Sequence, residues 1–135
     1  MSVLRILVDS NTLISALFYP NSKPAKALYH TVDNHELVLC DYNINELRRI
    51  AKEKFPHTQA DIDLFLTELP YELILAIESP QKLINDPKDA PILNAAIIAD
   101  IDIIISGDKH FLELDLERPK TMNAAEYLKY VETEE

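Results

Sequence analysis

Apolar segments alternate with amphipathic ones along the whole chain, and each has the length of one strand or one helix. Short runs that are apolar on both faces predict buried strands, and a 3.6-residue apolar period predicts helices. The predicted strands are residues 3–8, 36–40, 71–77, 102–106 and 120–123. The predicted helices are residues 10–19, 22–33, 43–55, 58–69, 89–100 and 124–131, with a short one after residue 108. This alternation is typical of an α/β protein, a three-layer α/β/α domain around a parallel sheet.

The length of 135 residues suits one domain, which we expect to span residues 1–131, with residues 132–135 as a frayed acidic tail. A run of 18 apolar residues does not occur, so we expect no membrane span. The first residues do not follow the signal-peptide pattern, and the single cysteine, Cys40, suits a reducing compartment. We therefore expect a cytoplasmic protein.

The formal net charge is −10, which argues against holding nucleic acid by bulk electrostatics alone. This charge suits a protein that collects cations at a carboxylate site or binds a basic partner. Phosphate-binding loops of the Walker and dinucleotide kinds need several glycines, and the chain has only Gly107. Those loops are excluded.

Acidic side chains occur at the ends of the predicted strands. Asp9 follows the first strand, and Asp108 follows the strand 102–106 after a Ser-Gly turn. Asp86 and Asp89 begin the apolar helix before that strand, and Glu46 lies early in the helix after the second strand. The carboxyl ends of parallel strands share one edge, so we expect these acids to converge there. A pocket of carboxylates needs a counter-charge, and an all-oxygen site suits Mg²⁺ or Mn²⁺.

Each acid also has a purely structural interpretation. Asp9, Asp86 and Asp89 could cap the helices that follow them, and for Asp86 the capping role is favoured. Glu46 could pair with Arg49 on the helix surface, and Asp108 could be an ordinary turn residue. The position of the only glycine directly before Asp108 suggests an unusual backbone dihedral there.

Several stretches resemble the PIN-domain nucleases, and the resemblance covers nearly the whole chain. They are "LVDSNTLISAL", "NELRR", "DPKDAPILNAAIIADIDIIISGDKHFLEL" and "MNAAEYL". The greatest likeness is to toxins of prokaryotic toxin–antitoxin pairs. The resemblance implies a PIN-like fold with a parallel sheet of about five strands. It also implies a metal-dependent endoribonuclease, with RNA as substrate, an antitoxin as partner and a homodimeric state.

Carried over residue by residue, the resemblance implies catalytic and metal-binding roles for Asp9, Glu46, Asp89 and Asp108, holding Mg²⁺ or Mn²⁺. Asn11 and Ser106 match polar positions that orient the acids, and Asp86 matches a frequent additional acid outside the central set. Basic residues near these positions could guide the phosphate backbone, or they could be a solvated helix face. They are Arg48, Arg49 and Lys52 on the helix that carries Glu46, and Lys109 after Asp108.

Two other interpretations stay open from the sequence. The stretch "DSNT" approximates the DxDxT motif of haloacid-dehalogenase-like phosphohydrolases, although Asn11 replaces the general acid of that motif. Alternatively, the chain could be a non-catalytic PIN-like module that only binds a partner. Phosphatase activity would favour the first, and failure to bind Mn²⁺ would favour the second.

Overall fold

A computed structural model describes residues 2–77 and 90–134 of the chain. In this part, strands and helices alternate in the predicted order. The strands are β1 (Arg5–Val8), β2 (Glu36–Cys40), β3 (Tyr71–Ile74), β4 (Ile103–Ile105) and β5 (Lys120–Met122). The helices are α1 (Ser10–Phe18), α2 (Lys23–Asn34), α3 (Asp41–Lys54), α4 (Gln59–Glu68), α5 (Ala90–Ile98), α6 (Lys109–Leu112) and α7 (Ala124–Glu134).

The strands form one parallel sheet in the order β3-β2-β1-β4-β5, which confirms the predicted sheet. Successive strand residues point to opposite faces, so the sheet supports two apolar cores. The larger core packs Ile6, Leu39 and Ile105 against α1, α2, α3, α4 and α7. The smaller core packs Leu7 and Ile104 against α5 and α6. The three-layer α/β/α architecture is therefore confirmed.

The strand order reverses direction between β1 and β4. The chain proceeds from β1 outward to β2 and β3, and then returns to the other side of β1 to form β4 and β5. In open α/β sheets this switch point leaves a crevice beyond the carboxyl ends of the strands. The residues directly after β1 and β4 therefore lie at the preferred location for a ligand site.

The start of α3 differs from the sequence-based expectation. The helix begins at Asp41 rather than at residue 43. The Asp41 carboxylate accepts hydrogen bonds from the backbone N–H groups of Tyr42 and Ala76, each at 2.8 Å. This pair of bonds fixes the first turn of α3 against the chain that follows β3. A contact over 35 residues of sequence is invisible to a local pattern.

The other boundaries differ by a few residues. The third strand ends at Ile74 rather than at residue 77, and α7 continues to Glu134. Asp86 and Asp89 lie outside the described residues. Within residues 2–77 and 90–134, every helix is too short or too polar to cross a bilayer.

Candidate active site

Asp9 is fixed from two sides at the end of β1. Its Oδ1 accepts the backbone N–H of Thr12 at 2.9 Å, so the carboxylate caps α1. Its Oδ2 accepts the hydroxyl of Ser106 at 2.6 Å. Its own N–H donates to the carbonyl of Ile105 at 3.1 Å, which ties the ends of β1 and β4 together. The capping interpretation is therefore correct, and it leaves the carboxylate at the edge of the sheet.

Ser106 connects the two strand ends. Its side chain is completely buried, and its Oγ accepts the N–H of Asp108 at 3.0 Å while donating to Asp9. Asp108 in turn caps α6 by accepting the N–H of His110 at 2.8 Å, and His110 Nδ1 lies 3.0 Å from the same Oδ1. A single hydroxyl thus sets the spacing of two acids that are 99 residues apart in sequence.

The first turns of α3 bring Asn43 and Glu46 to the same edge. Asn43 is 2% exposed, and its Nδ2 lies 3.3 Å from Ser10 Oγ as a donor. Its Oδ1 accepts no hydrogen bond from the residues that the structure describes. A buried carbonyl oxygen without a donor is costly, on the order of 1–3 kcal/mol. Water or a cation at this position would remove that cost.

These side chains line one small pocket, which we call the acidic pocket. Its volume is about 30 Å³, enough for one or two water-sized groups. Its wall is formed by Asp9, Ser10, Asn11, Asn43, Glu46, Ile92, Asp108 and Phe111. Three carboxylates and three neutral polar side chains therefore face one space at the switch point of the sheet.

The acidic pocket suits a hard cation because the side chains on its wall offer carboxylate, amide and hydroxyl oxygens as ligands. Among residues 2–77 and 90–134, however, no three acidic, histidine or cysteine side chains lie close enough together to bind one metal ion. The described carboxylates therefore face a common pocket without forming a closed ligand cage. The expected fourth acid, Asp89, lies outside these residues.

Burial controls the protonation of Asp9. Removal of its carboxyl group from water raises its pKa above the ordinary value of 3.8. The hydrogen bonds from Ser106, Thr12 and Gly107 act in the opposite direction and only partly offset the effect of burial. A nearby positive charge would restore the ionised form.

The comparisons with known proteins agree with this architecture. The sequence profile of the PIN domain matches residues 5–110, which include both strand-end acids. The chain belongs to the PIN domain family. The resemblance seen in the sequence is thereby confirmed, and the match argues against the haloacid-dehalogenase-like alternative. No curated protein matches the sequence.

The fold of this PIN domain is also found in a solved complex. It is similar to a chain in the crystal structure of VapBC2 from Rickettsia felis bound to a DNA fragment from their promoter. The TM-score is 0.66 at 16% sequence identity, and the alignment covers 89% of this chain and 98% of that chain. At this identity the likeness establishes the fold, so the predicted PIN-like fold is confirmed.

The four basic residues predicted to bind nucleic acid have different surroundings in the PIN domain. Arg48 forms an ion pair with Asp63 on α4 at 2.6 Å. Arg49 lies on a neighbouring side of α3, 3.3 Å from Glu53 and 3.9 Å from Glu46. Lys52 and Lys109 are exposed, on α3 and α6 respectively. Of the four residues expected to bind nucleic acid, Arg49 contacts Glu46 of the pocket, and Lys109 directly follows Asp108 in the sequence.

Two features of the pocket were not anticipated from the sequence. Asn43 and Ser10 line it, although neither was singled out. The available signal was periodicity, because residue 43 falls on the inner stripe of α3 with Leu47 and Ile50, where a polar side chain is unusual.

The expectation for Gly107 was wrong. Its φ angle is not positive, and apart from its two chain neighbours no described residue has an atom within 4 Å of a Cβ added there. Neither the backbone nor the packing of this PIN domain explains why the position is glycine.

The raised pKa of Asp9 predicts that this carboxylate destabilises the metal-free protein. Between the ordinary carboxyl pKa and the higher folded-state value, the folded state binds more protons than the unfolded state. The free energy of unfolding therefore falls as pH rises through this interval. We expect Asp9→Asn, which still caps α1 but cannot ionise, to unfold at a higher temperature than wild type at neutral pH. This advantage should shrink on acidification.

Thermal unfolding in EDTA from about pH 4 to about pH 8 measures this difference, since the interval begins at the ordinary carboxyl pKa of about 4. Asp33→Asn, at an exposed position on α2, is the matched control and should stay close to wild type throughout. An Asp9→Asn protein that melts below wild type at neutral pH would contradict the prediction.

Proposed function

We propose that this PIN domain is a metal-dependent endoribonuclease that hydrolyses phosphodiester bonds of RNA. The observation that carries the proposal is the convergence of Asp9, Glu46 and Asp108 on one pocket that Asn43 also lines. PIN domains are nucleases, so membership of the family supports hydrolysis of a phosphodiester.

Mg²⁺ or Mn²⁺ would be held by Asp9 and Asp108, with Glu46 as a direct or water-mediated ligand. We add Asn43 to this set because its side chain lines the same pocket and its buried Oδ1 accepts no hydrogen bond from the described residues. Asp89 completes the proposed set on the sequence pattern of the family alone, and Asp86 is proposed as an accessory acid on the same ground. A divalent ion bound there would lower the pKa of a water ligand and neutralise charge on the reacting phosphate.

The residues of the chain would supply orientation. Thr12 and Ser106 fix both oxygens of Asp9, which limits rotation of this carboxylate. Ser106 also fixes the backbone at Asp108 through its N–H. Asn11 lines the same pocket and would contact a water or a phosphate oxygen there. Such preorganisation of charged groups is a large part of catalysis, because no reorganisation is needed when the phosphate arrives.

An RNA-cleavage assay tests this proposal. We expect wild type to cut single-stranded RNA in Mn²⁺ or Mg²⁺, and activity to disappear in EDTA and return when metal is restored. Asp108→Asn, which can still cap α6, should lower the rate by about a thousandfold, the loss typical of one preorganised electrostatic group. Asp33→Asn is the control for loss of a negative charge. RNA cleavage that persists in EDTA, or at the wild-type rate in Asp108→Asn, would refute the proposal.

Ser106 should matter through its hydroxyl. Ser106→Ala leaves Asp9 Oδ2 and the Asp108 N–H without their shared partner, and we expect about 10- to 100-fold lower activity, as for other groups that orient metal ligands. Ser106→Thr keeps the hydroxyl and should retain most activity. The apparent affinity for Mn²⁺, measured by calorimetry, should fall in Ser106→Ala. Equal rates for the alanine and threonine variants would show that the bridge does not position the acids.

We further propose that the nuclease is the toxin of a toxin–antitoxin pair, acts in the cytoplasm and forms a homodimer. The support is the family resemblance in sequence and the similarity of the fold to a chain of the VapBC2 complex. The proposed partner is an antitoxin that silences the acidic pocket until it is removed.

Inducible expression in a bacterial host tests the toxin role. We expect wild type to arrest growth and Asp108→Asn to accumulate to a similar level without arrest, since only the metal site differs. Co-expression of the proposed antitoxin, which we expect a neighbouring gene to encode, should relieve the arrest. Growth that continues while wild-type protein accumulates in an active form would contradict the toxin role without affecting the nuclease assignment.

A further inference from the structure

We propose that a second pocket on α3 binds the nucleotide next to the scissile phosphate of the RNA. Tyr42, Asn45, Glu46 and Arg49 line this pocket, which we call the α3 pocket. The inference rests on the proposed ribonuclease activity, because it assigns the α3 pocket to the substrate of the acidic pocket.

The two pockets are adjacent because they share Glu46. Residues 42, 45, 46 and 49 lie at i, i+3, i+4 and i+7 of one helix, so their side chains occupy one face. The inner stripe of the same helix, with Asn43 and Leu47, faces the acidic pocket and the core. An RNA chain whose phosphate lies at the acidic pocket can therefore place a neighbouring nucleotide in the α3 pocket.

The α3 pocket has the size of a small-ligand site. Its volume is about 310 Å³, at the lower end of the range of about 300–1,000 Å³ for such sites. This suits one nucleotide rather than an extended stretch. The acidic pocket, at about 30 Å³, is too small for a base or a sugar and admits only ions, water and phosphate oxygens. The difference in volume suggests that the acidic pocket holds the reacting phosphate and that the α3 pocket recognises the neighbouring nucleotide.

The side chains of the α3 pocket match the parts of a nucleotide. Tyr42 is partly buried against the smaller core, so its ring is held in place as a platform for stacking a base. Asn45 is exposed and carries an amide that can donate to and accept from a base edge. Arg49 is 57% exposed and carries the guanidinium that would meet a phosphate.

Arg49 is the arginine best able to change partner. Arg48 is held by Asp63 at 2.6 Å on the α4 side, and Arg118 contacts Asp102 at 3.0 Å at the amino end of the sheet. Arg49 has longer contacts, 3.3 Å to Glu53 and 3.9 Å to Glu46, with all three side chains partly in water. Exposed ion pairs of this kind contribute little, so a phosphate can replace them. An acidic protein would thereby hold RNA through a local contact rather than through its overall charge.

Binding without catalysis gives the first test. The Asp108→Asn protein, in which we expect cleavage to be slow, is titrated in Mg²⁺ against a fluorescein-labelled single-stranded RNA oligonucleotide, and fluorescence anisotropy gives Kd. We expect added Tyr42→Leu to weaken binding about tenfold and Tyr42→Phe to stay within about twofold, because stacking needs the ring and not the hydroxyl. Added Arg49→Ala should weaken binding. It should also reduce the slope of log K against log salt concentration by about the contribution of one phosphate contact.

Matched controls are available elsewhere in the fold. Tyr29→Leu removes an exposed tyrosine on α2, and Arg118→Ala removes an arginine of similar exposure, 53% against 57% for Arg49. Both should bind RNA as the parent does. Thermal unfolding of each variant establishes that it is folded, and Tyr42→Leu keeps apolar volume at the position where alanine could disturb the core. Equal Kd values for the leucine and phenylalanine variants, or equal losses in the controls, would overturn the proposal.

The position of cleavage gives the second test. RNA of random sequence is cut by wild type and by Asn45→Ala, and the ends of the products are sequenced. We expect wild type to prefer particular bases at the nucleotide next to the cut, and Asn45→Ala to lose that preference while preferences at other positions stay. An unchanged preference in Asn45→Ala would refute its contact with the base.

The two proposals fail in different ways. If wild type cuts RNA but the Tyr42, Asn45 and Arg49 variants change neither Kd nor the cleavage pattern, the α3 pocket is not the nucleotide site and the nuclease assignment stands. If wild type does not cut RNA while Tyr42→Leu and Arg49→Ala still weaken binding, the α3 pocket binds RNA in a protein without the proposed activity.

Discussion

The hydrogen bond from the buried Ser106 hydroxyl to Asp9 is the interaction on which the site depends. It joins the end of β1 to the end of β4 at the point where the strand order reverses, and the same oxygen accepts the N–H of Asp108. An aliphatic residue at this position would remove the hydroxyl that Asp9 Oδ2 and the Asp108 N–H share. The sheet topology brings the two acids to the same edge, and the hydroxyl sets their separation.

Much of this arrangement could be predicted because it depends on short-range patterns. The apolar runs are strands because both of their faces are covered. Asp9 could be located because it directly follows such a run, and Asp108 because it follows one after a short turn. Asn43 could not be located in this way, because its importance depends on a contact with Ser10, 33 residues earlier in the chain. Likewise, Arg48 and Arg49 are neighbours in sequence, and only the packing of α4 against α3 shows that Arg48 is engaged with Asp63.

The interpretation of Gly107 shows the limit of composition as a guide. A lone glycine beside a candidate acid suggested a constrained backbone, yet its φ angle is not positive and the described residues leave room for a Cβ there. A backbone dihedral that other residues avoid is one reason for glycine at a position. That reason cannot be inferred from the fact that the chain has only one glycine. Capping, in contrast, is compatible with a place on the wall of the acidic pocket. Asp9 and Asp108 are both helix caps, and each still lines the acidic pocket. A structural role and a chemical role can share one carboxylate because it has two oxygens.

The free-energy cost of the acidic pocket explains how binding and folding can be coupled in this domain. Asp9 is ionised only against the effect of burial, and Asn43 Oδ1 is buried without a donor among the described residues, so both groups are destabilising as they stand. A cation would satisfy both at once, and its binding would therefore stabilise the fold by an amount that depends on its concentration. The same cation would neutralise the charge that repels RNA. One positive ion would then offset the free-energy cost of these groups and let the RNA backbone approach the acidic pocket. Arg49, outside this pocket, would remain available for the rest of the RNA.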